Sequence, residues 1–361
     1  MNSIEFFLYS FRLLLFPLAL LYGLGVRLRN LAYDKGWLHS QTFNIPMVCI
    51  GNLAVGGTGK SPLTEHLIGI LTQKYRTAAL SRGYKRRTRG YVLAGPGTTS
   101  LEIGDEPMQL HLKHPDIPVA VGESRAEALP QLLFDRPDTE VIVLDDAFQH
   151  RSVKPGLNIL LTDRNNLYTR DFFLPTGDLR DQRSSARRAD IVIVTKCPGS
   201  MTEKEAAAVR NELDLQEGQD LFFTTIVQGR PRHIVTGEAR DLERETEVLL
   251  FTGIANPKPL KAYLQEMVHS YEEIRFSDHH HFNIDDVKGI QRRFESLKAK
   301  DRVILTTEKD AVRLSRFASE LRDKPVFAIP MRIEFLFGGG GRFQDRIFNF
   351  IDTFPSRRKK T

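Results

Sequence analysis

A chain of 361 residues, 41% hydrophobic and 27% charged, has the composition of a folding globular protein, which excludes both a disordered chain and a multi-span membrane protein. The formal charge of +6 suits an anionic partner, but no zinc-finger spacing or RNA-binding aromatic signature accompanies it, so nucleic acid is not expected. Two cysteines, Cys49 and Cys197, exclude a disulfide framework and fit structural thiols in a reducing compartment.

From Phe6 to Val26 the chain is almost wholly apolar, broken by Tyr9, Ser10, Arg12 and Pro17. As a helix it would be roughly 30 Å long, barely enough to span a bilayer. Glu5 stands where a signal peptide needs a basic region. A central arginine and a proline disfavour burial in hydrocarbon, so a helix lying in the membrane interface is expected, with Arg27 and Arg29 near anionic headgroups.

Pro46 to Asn52 reads as a buried strand. It is followed by Ala54-Val55-Gly56-Gly57-Thr58-Gly59-Lys60-Ser61 and by a helical pattern through Leu63, Leu67, Ile70 and Leu71. Strand, glycine loop and helix are the context a phosphate loop requires: backbone amides close around phosphates, Lys60 reaches the terminal ones and Ser61 can hold Mg²⁺. Ala54 replaces the first glycine of the usual pattern, so that turn must tolerate a Cβ. A second apolar run, Val141 to Leu144, ends in Asp145-Asp146, placing two carboxylates at a strand end where they can bind Mg²⁺ directly or through water.

After the strand-like Ile191 to Val194 comes Thr195-Lys196-Cys197-Pro198, in which proline takes the place of a guanine-reading aspartate. Val55 stands where membrane-recruited switch ATPases carry a lysine. A kinase that needs a general base for an acceptor hydroxyl remains. Candidate bases lie in Gly104-Asp105-Glu106-Pro107 and in Asp278-His279-His280-His281, where a carboxylate paired with histidine could take the proton. Either segment has a plainer reading, a helix N-terminus for the first and a metal cluster for the second.

Taken together, Gly51-Asn52 with the phosphate loop, Ser81-Arg82-Gly83-Tyr84, Gly104-Asp105-Glu106-Pro107, Asp145-Asp146-Ala147-Phe148-Gln149-His150, Thr252 to Pro257, Asp278-His279-His280 and Thr307-Glu308-Lys309-Asp310-Ala311 resemble the tetraacyldisaccharide 4′-kinases of lipid A synthesis. The resemblance implies ATP and Mg²⁺ as cofactors and transfer of the γ-phosphoryl group to the 4′-hydroxyl of an acylated glucosamine disaccharide 1-phosphate. It implies work at the cytoplasmic face of the bacterial inner membrane. Asp105 becomes the catalytic carboxylate, with His279 as its partner and His280 as the alternative. Asp145 and Asp146, with Ser61 and Glu106, become metal-site residues, and Arg82, Tyr84, Arg125 and His150 become substrate contacts. The departures are Asp-Asp-Ala where the family has Asp-Asp-Gly, and Ser61 where threonine is common. A P-loop kinase of a soluble sugar or cofactor precursor and a membrane-recruited ATPase switch are the alternative functions.

The expected fold is α/β: a P-loop NTPase-type three-layer α/β/α domain, and a second, smaller α/β domain. Residues 1–40 form the apolar membrane-associated helix and its connection, 41–222 the nucleotide-binding domain, 223–247 a β-hairpin linker, and 248–361 the smaller domain with a basic tail. The hairpin rests on the alternation in Phe222 to Val227 and Arg232 to Val235 about Gly229.

Overall fold

In the computed structural model, residues 12–355 are described. The basic tail Arg357 to Lys360 and the start of the apolar segment lie outside them. Two sheets organise the molecule. The larger has nine strands: β1 (Met47–Asn52), β2 (Thr77–Ser81), β3 (Val92–Leu93), β4 (Val119–Val121), β5 (Val141–Leu144), β6 (Leu157–Asp163), β7 (Ile191–Thr195), β8 (Asp220–Gln228) and β14 (Met331–Phe335), in the order β14-β8-β7-β6-β1-β5-β2-β4-β3. All neighbours are parallel except at the two edges, where β14 and β3 run antiparallel. Helices cover both faces, so the central strands read as unbroken apolar runs: every residue of β1, β2, β5 and β7 is buried.

The helix Lys60–Leu71 returns the chain from β1 and buries Leu63, Thr64, Leu67, Ile68 and Leu71, a stripe at three- and four-residue spacing. β1 lies between β5 and β6 while its crossover leads to β2. The C-terminal ends of β1 and β5 are therefore adjacent at a break in strand order, where open α/β sheets place ligands.

The smaller sheet has the order β11-β10-β12-β13-β9, with β9 (Arg232–His233), β10 (Glu247–Thr252), β11 (Tyr271–Arg275), β12 (Arg302–Thr307) and β13 (Val326–Ile329). It has apolar clusters of its own on two faces, one around Leu250, Leu264 and Leu305, the other around Phe251, Phe282 and Ile304.

Two expectations about this region are corrected. The two runs do not pair as a hairpin: β8 stays in the large sheet, pairing with β7 and β14, whereas β9 pairs with β13 in the small one. Alternation shows that a strand has two faces and says nothing about which strand lies beside it. Nor does the smaller domain keep the rest of the chain. β14 returns to the large sheet, and the helix Gly339–Asp352 buries Phe343, Ile347 and Ile351 among Leu63, Leu67 and Val48.

The helix Phe16–Asp34 lies outside these layers. It buries only Ala19, Gly23 and Asn30 and exposes Leu18, Leu20, Leu21, Leu24, Leu28 and Leu31. Asn30 anchors it by donating to Asp181 at 2.8 Å, and Arg12 ahead of it donates to Asp178 at 2.6 Å. Between this helix and residues 171–184 runs a groove of about 400 Å³ lined by Phe16, Leu20, Leu24, Phe172 and Phe173, with Arg27 and Arg183 among its walls. Among the described residues no helix is long and apolar enough to cross a membrane.

Candidate active site

The loop from Ala54 to Gly59 closes over the end of β1, with Gly56 and Gly59 at φ of 99° and 85°. An L side chain is strained there, which is why glycine holds both positions. Ala54 needs no such freedom: it lies in a short antiparallel bridge with Leu179, so its Cβ is tolerated. Neighbouring segments pin the loop from outside. The Val55 amide donates to the Asp178 carbonyl at 2.8 Å, Thr195 Oγ1 donates to the Thr58 carbonyl at 2.8 Å, and Asn52 Nδ2 donates to Thr58 Oγ1 at 2.9 Å. Gly57 stands in open space, which leaves its backbone accessible to a phosphate.

Lys60 extends from the first turn of its helix, donating to Asn52 Oδ1 at 3.1 Å and lying 3.7 Å from Asp146 Oδ1. Asp146, with φ of 46°, turns out of the end of β5 towards it and is gripped by both terminal nitrogens of Arg180. Burial alone would raise the Asp146 pKa, but Lys60 and Arg180 outweigh it and hold the carboxyl down to about 2. Asp145 turns inward instead and accepts from Thr64 Oγ1 at 3.0 Å and Ser81 Oγ at 3.1 Å. Burial, with the repulsion of Glu106 and Asp146, pushes its pKa up to about 6.

Glu106 comes from the first turn of the helix Asp105–Lys113, which Gly104 starts at φ of 91°; a Cβ there would meet the Tyr84 carbonyl at 2.9 Å. Its Oε1 accepts from Ser61 Oγ at 3.1 Å and from Lys309 Nζ at 2.6 Å. Burial opposes ionisation of Glu106, yet Lys309, Lys60 and Ser61 hold its pKa below the usual carboxylate value. Asp145, Asp146, Glu106 and the Ser61 hydroxyl thus form a hard-oxygen set whose acids repel one another, a set that suits Mg²⁺. No three His, Cys, Asp or Glu side chains among the described residues form a ready cage.

On the other side of the cleft the second domain presents His279, held in a left-handed turn with φ of 60°. Its Nδ1 is 3.3 Å from Asp105 Oδ2. His280 turns away and pairs with Asp286 at 2.9 Å. Of the two histidines the sequence leaves open, His279 is therefore the one brought to Asp105. Arg313 joins the same cluster, its Nε 2.9 Å from Asp105 Oδ2.

Around the rim, Arg82 and Tyr84 are exposed, Tyr84 with its ring edge-on to His279 at 6.2 Å between centroids. His150 is half-buried, and burial together with Arg125 and Arg82 pushes its pKa down to about 4. A neutral imidazole among arginines is an environment that favours an anion. Arg125 is corrected as a substrate contact: it is 0% exposed and donates to the carbonyls of Gly122 at 2.5 Å and Asp145 at 3.0 Å. It supports the turn that aims the two aspartates.

Sequence reasoning did not single out Arg180 or Arg313. Arg180 follows an irregular loop with no periodicity to mark it. Arg313 lies just beyond the Thr-Glu-Lys-Asp-Ala motif, two turns into a helix whose first turn carries Lys309.

The sequence matches the family described as Tetraacyldisaccharide-1-P 4'-kinase over residues 11–351. A tetraacyldisaccharide 4'-kinase of Bacteroides thetaiotaomicron is 42% identical over 353 residues, covering 93% of this chain and 92% of that protein. One of Flavobacterium johnsoniae is 47% identical over 322 residues, covering 87% of this chain and 92% of that protein. The crystal structure of LpxK from Aquifex aeolicus in complex with ATP superposes with a TM-score of 0.75 at 26% identity, covering 94% of this chain and 99% of that one. With the match running along nearly its whole length, the chain belongs to the tetraacyldisaccharide 4′-kinase family.

Proposed function

We infer that this chain transfers the γ-phosphoryl group of ATP to the 4′-hydroxyl of an acylated glucosamine disaccharide 1-phosphate, a step of lipid A biosynthesis. The observation that carries the reading is the meeting of a phosphate loop and paired aspartates with an Asp105–His279 pair drawn from two domains. The amides of residues 56–61 and Lys60 hold the β- and γ-phosphates, and Lys60 offsets charge that develops as the γ-phosphoryl group moves. Asp105 takes the proton of the 4′-hydroxyl, and the 4′-oxygen bonds to the γ-phosphorus as the bond from that phosphorus to the ADP oxygen breaks. Ser61, Asp145, Asp146 and Glu106 would hold Mg²⁺, which when bound neutralises phosphate charge. Arg82, His150 and Tyr84 line the acceptor side, where arginine hydrogen bonds suit an anionic headgroup and an aromatic face suits a sugar.

The exposed leucines of the Phe16–Asp34 helix and the adjoining groove support a peripheral seat on the membrane, at the cytoplasmic face where ATP is supplied. The acceptor should accordingly need its acyl chains. Burial of four methylenes at about 0.8 kcal/mol each corresponds to about two hundredfold in kcat/KM. ADP release measured with acylated and deacylated disaccharide 1-phosphate should differ by at least that factor, and equal rates would point to a soluble acceptor.

A further inference from the structure

The helix that begins within the motif Thr307-Glu308-Lys309-Asp310-Ala311 faces the candidate active-site acids. Lys309 and Arg313, one turn apart on one face of the helix Glu308–Leu314, meet the neighbours Glu106 and Asp105 at the start of the helix Asp105–Lys113. Arg313 is buried, its side chain 3% exposed, and its nitrogens meet polar partners. Nη1 donates to the Gly253 carbonyl at 2.9 Å and to Asp310 Oδ1 at 2.8 Å. Nε and Nη2 lie 2.9 and 2.8 Å from Asp105 Oδ2, and Nη2 lies 3.2 Å from His279 Nδ1.

A guanidinium has only donors. His279 Nδ1 lies within reach of both an Arg313 donor at 3.2 Å and Asp105 Oδ2 at 3.3 Å, accepting from Arg313 in one tautomer and donating to Asp105 in the other. In either, Arg313 Nη2 touches both members of the pair, 2.8 Å from Asp105 Oδ2 and 3.2 Å from His279 Nδ1. Asp310 in turn fixes Arg313: it is 0% exposed, accepts from Thr307 Oγ1 at 2.8 Å and from the Gly253 amide at 3.0 Å, and has only Oδ1 left for the guanidinium. Among the described residues, all three of these contacts to Asp105 fall on Oδ2.

We propose that Arg313 is a positioning residue for phosphoryl transfer: by bridging Asp105 Oδ2 and His279 Nδ1 it docks the second domain on the base and reserves Asp105 Oδ1 for the acceptor hydroxyl. This rests on the reading of Asp105 as the base. The Lys309 contact to Glu106 sets the neighbouring acid from the same helix.

The test is a double-mutant cycle on the full chain, with kcat and the KM for ATP and lipid measured for Asp105→Asn, Arg313→Gln and both together. A misplaced base predicts that Arg313→Gln lowers kcat by about 10- to 100-fold, with both KM values within about threefold. In the Asp105→Asn background the same change should cost less than about twofold, because the group it positions is gone. A merely structural arginine would give multiplying losses, and that result, or an unchanged kcat in Arg313→Gln, overturns the proposal. Should a thermal melt show Arg313→Gln to be unfolded, Arg313→Lys decides. A lysine keeps the buried charge opposite Asp310 but cannot span all the acceptors, so about a tenfold loss of kcat is expected that vanishes with Asp105→Asn, and its persistence there counts against the bridge. If Asp105→Asn alone leaves kcat intact, the base assignment fails instead.

Discussion

Asp105→Asn is expected to lower kcat by about 10²- to 10⁴-fold, the range for loss of a positioned general base, while the affinity for ATP changes by less than about threefold. The division follows from where Asp105 sits. Its contacts are His279 and Arg313 of the second domain, across the cleft from the loop proposed to take the phosphates, and asparagine keeps its shape while losing the basic oxygen. Kinetics at saturating lipid, together with direct titration of an ATP analogue, would separate the two parameters. A variant that turned over at more than about a tenth of the normal rate would return the role of base to another group.

Lys60→Met should act on both quantities. Lys60 opens the helix that starts at the glycine loop and lies 3.7 Å from Asp146 Oδ1. Losing one preorganised charge at the transferring group costs about 10²–10³ in kcat, and ATP binding should weaken as well because the lysine also holds the ground-state phosphates. A second consequence can be measured without substrate. Lys60 is the first of the groups that hold the Asp146 pKa down to about 2 against burial. A carboxyl with a depressed pKa contributes stability above its unfolded value that is lost as pH falls through the folded one. The variant should therefore lose less stability than the native chain between about pH 4 and pH 2. Acid unfolding followed by circular dichroism checks this.

Much of the site was legible because its chemistry is local. A phosphate loop declares itself within eight residues, and the apolar strands before Lys60 and Asp145 place both at neighbouring strand ends. The parallel sheet was legible for the same reason, since strands buried on both faces read as continuous apolar runs.

What depends on distant partners was not legible. The run Phe222 to Val227 gives a strand, but its neighbour β14 lies about a hundred residues onward. Phe343, Ile347 and Ile351 mark an amphipathic helix without saying that it crosses back to the first domain. The choice between His279 and His280 turned on one left-handed residue, which sends adjacent side chains to Asp105 and to Asp286. Arg125 reads as a headgroup contact because a doubly anionic lipid favours arginine hydrogen bonds. Its burial reflects two carbonyls, of Gly122 and Asp145, that need a donor.

The destination of the γ-phosphoryl group tests the proposed reaction most directly. Purified protein should be incubated with γ-labelled ATP, Mg²⁺ and detergent-dispersed tetraacyl disaccharide 1-phosphate, and the lipid product resolved and its phosphate positions assigned by ³¹P NMR. Label in a bis-phosphorylated lipid with the new group on the 4′-oxygen is the expected result. Label released only as inorganic phosphate, or attached elsewhere on the disaccharide, would show that the cleft does not present the 4′-hydroxyl to Asp105.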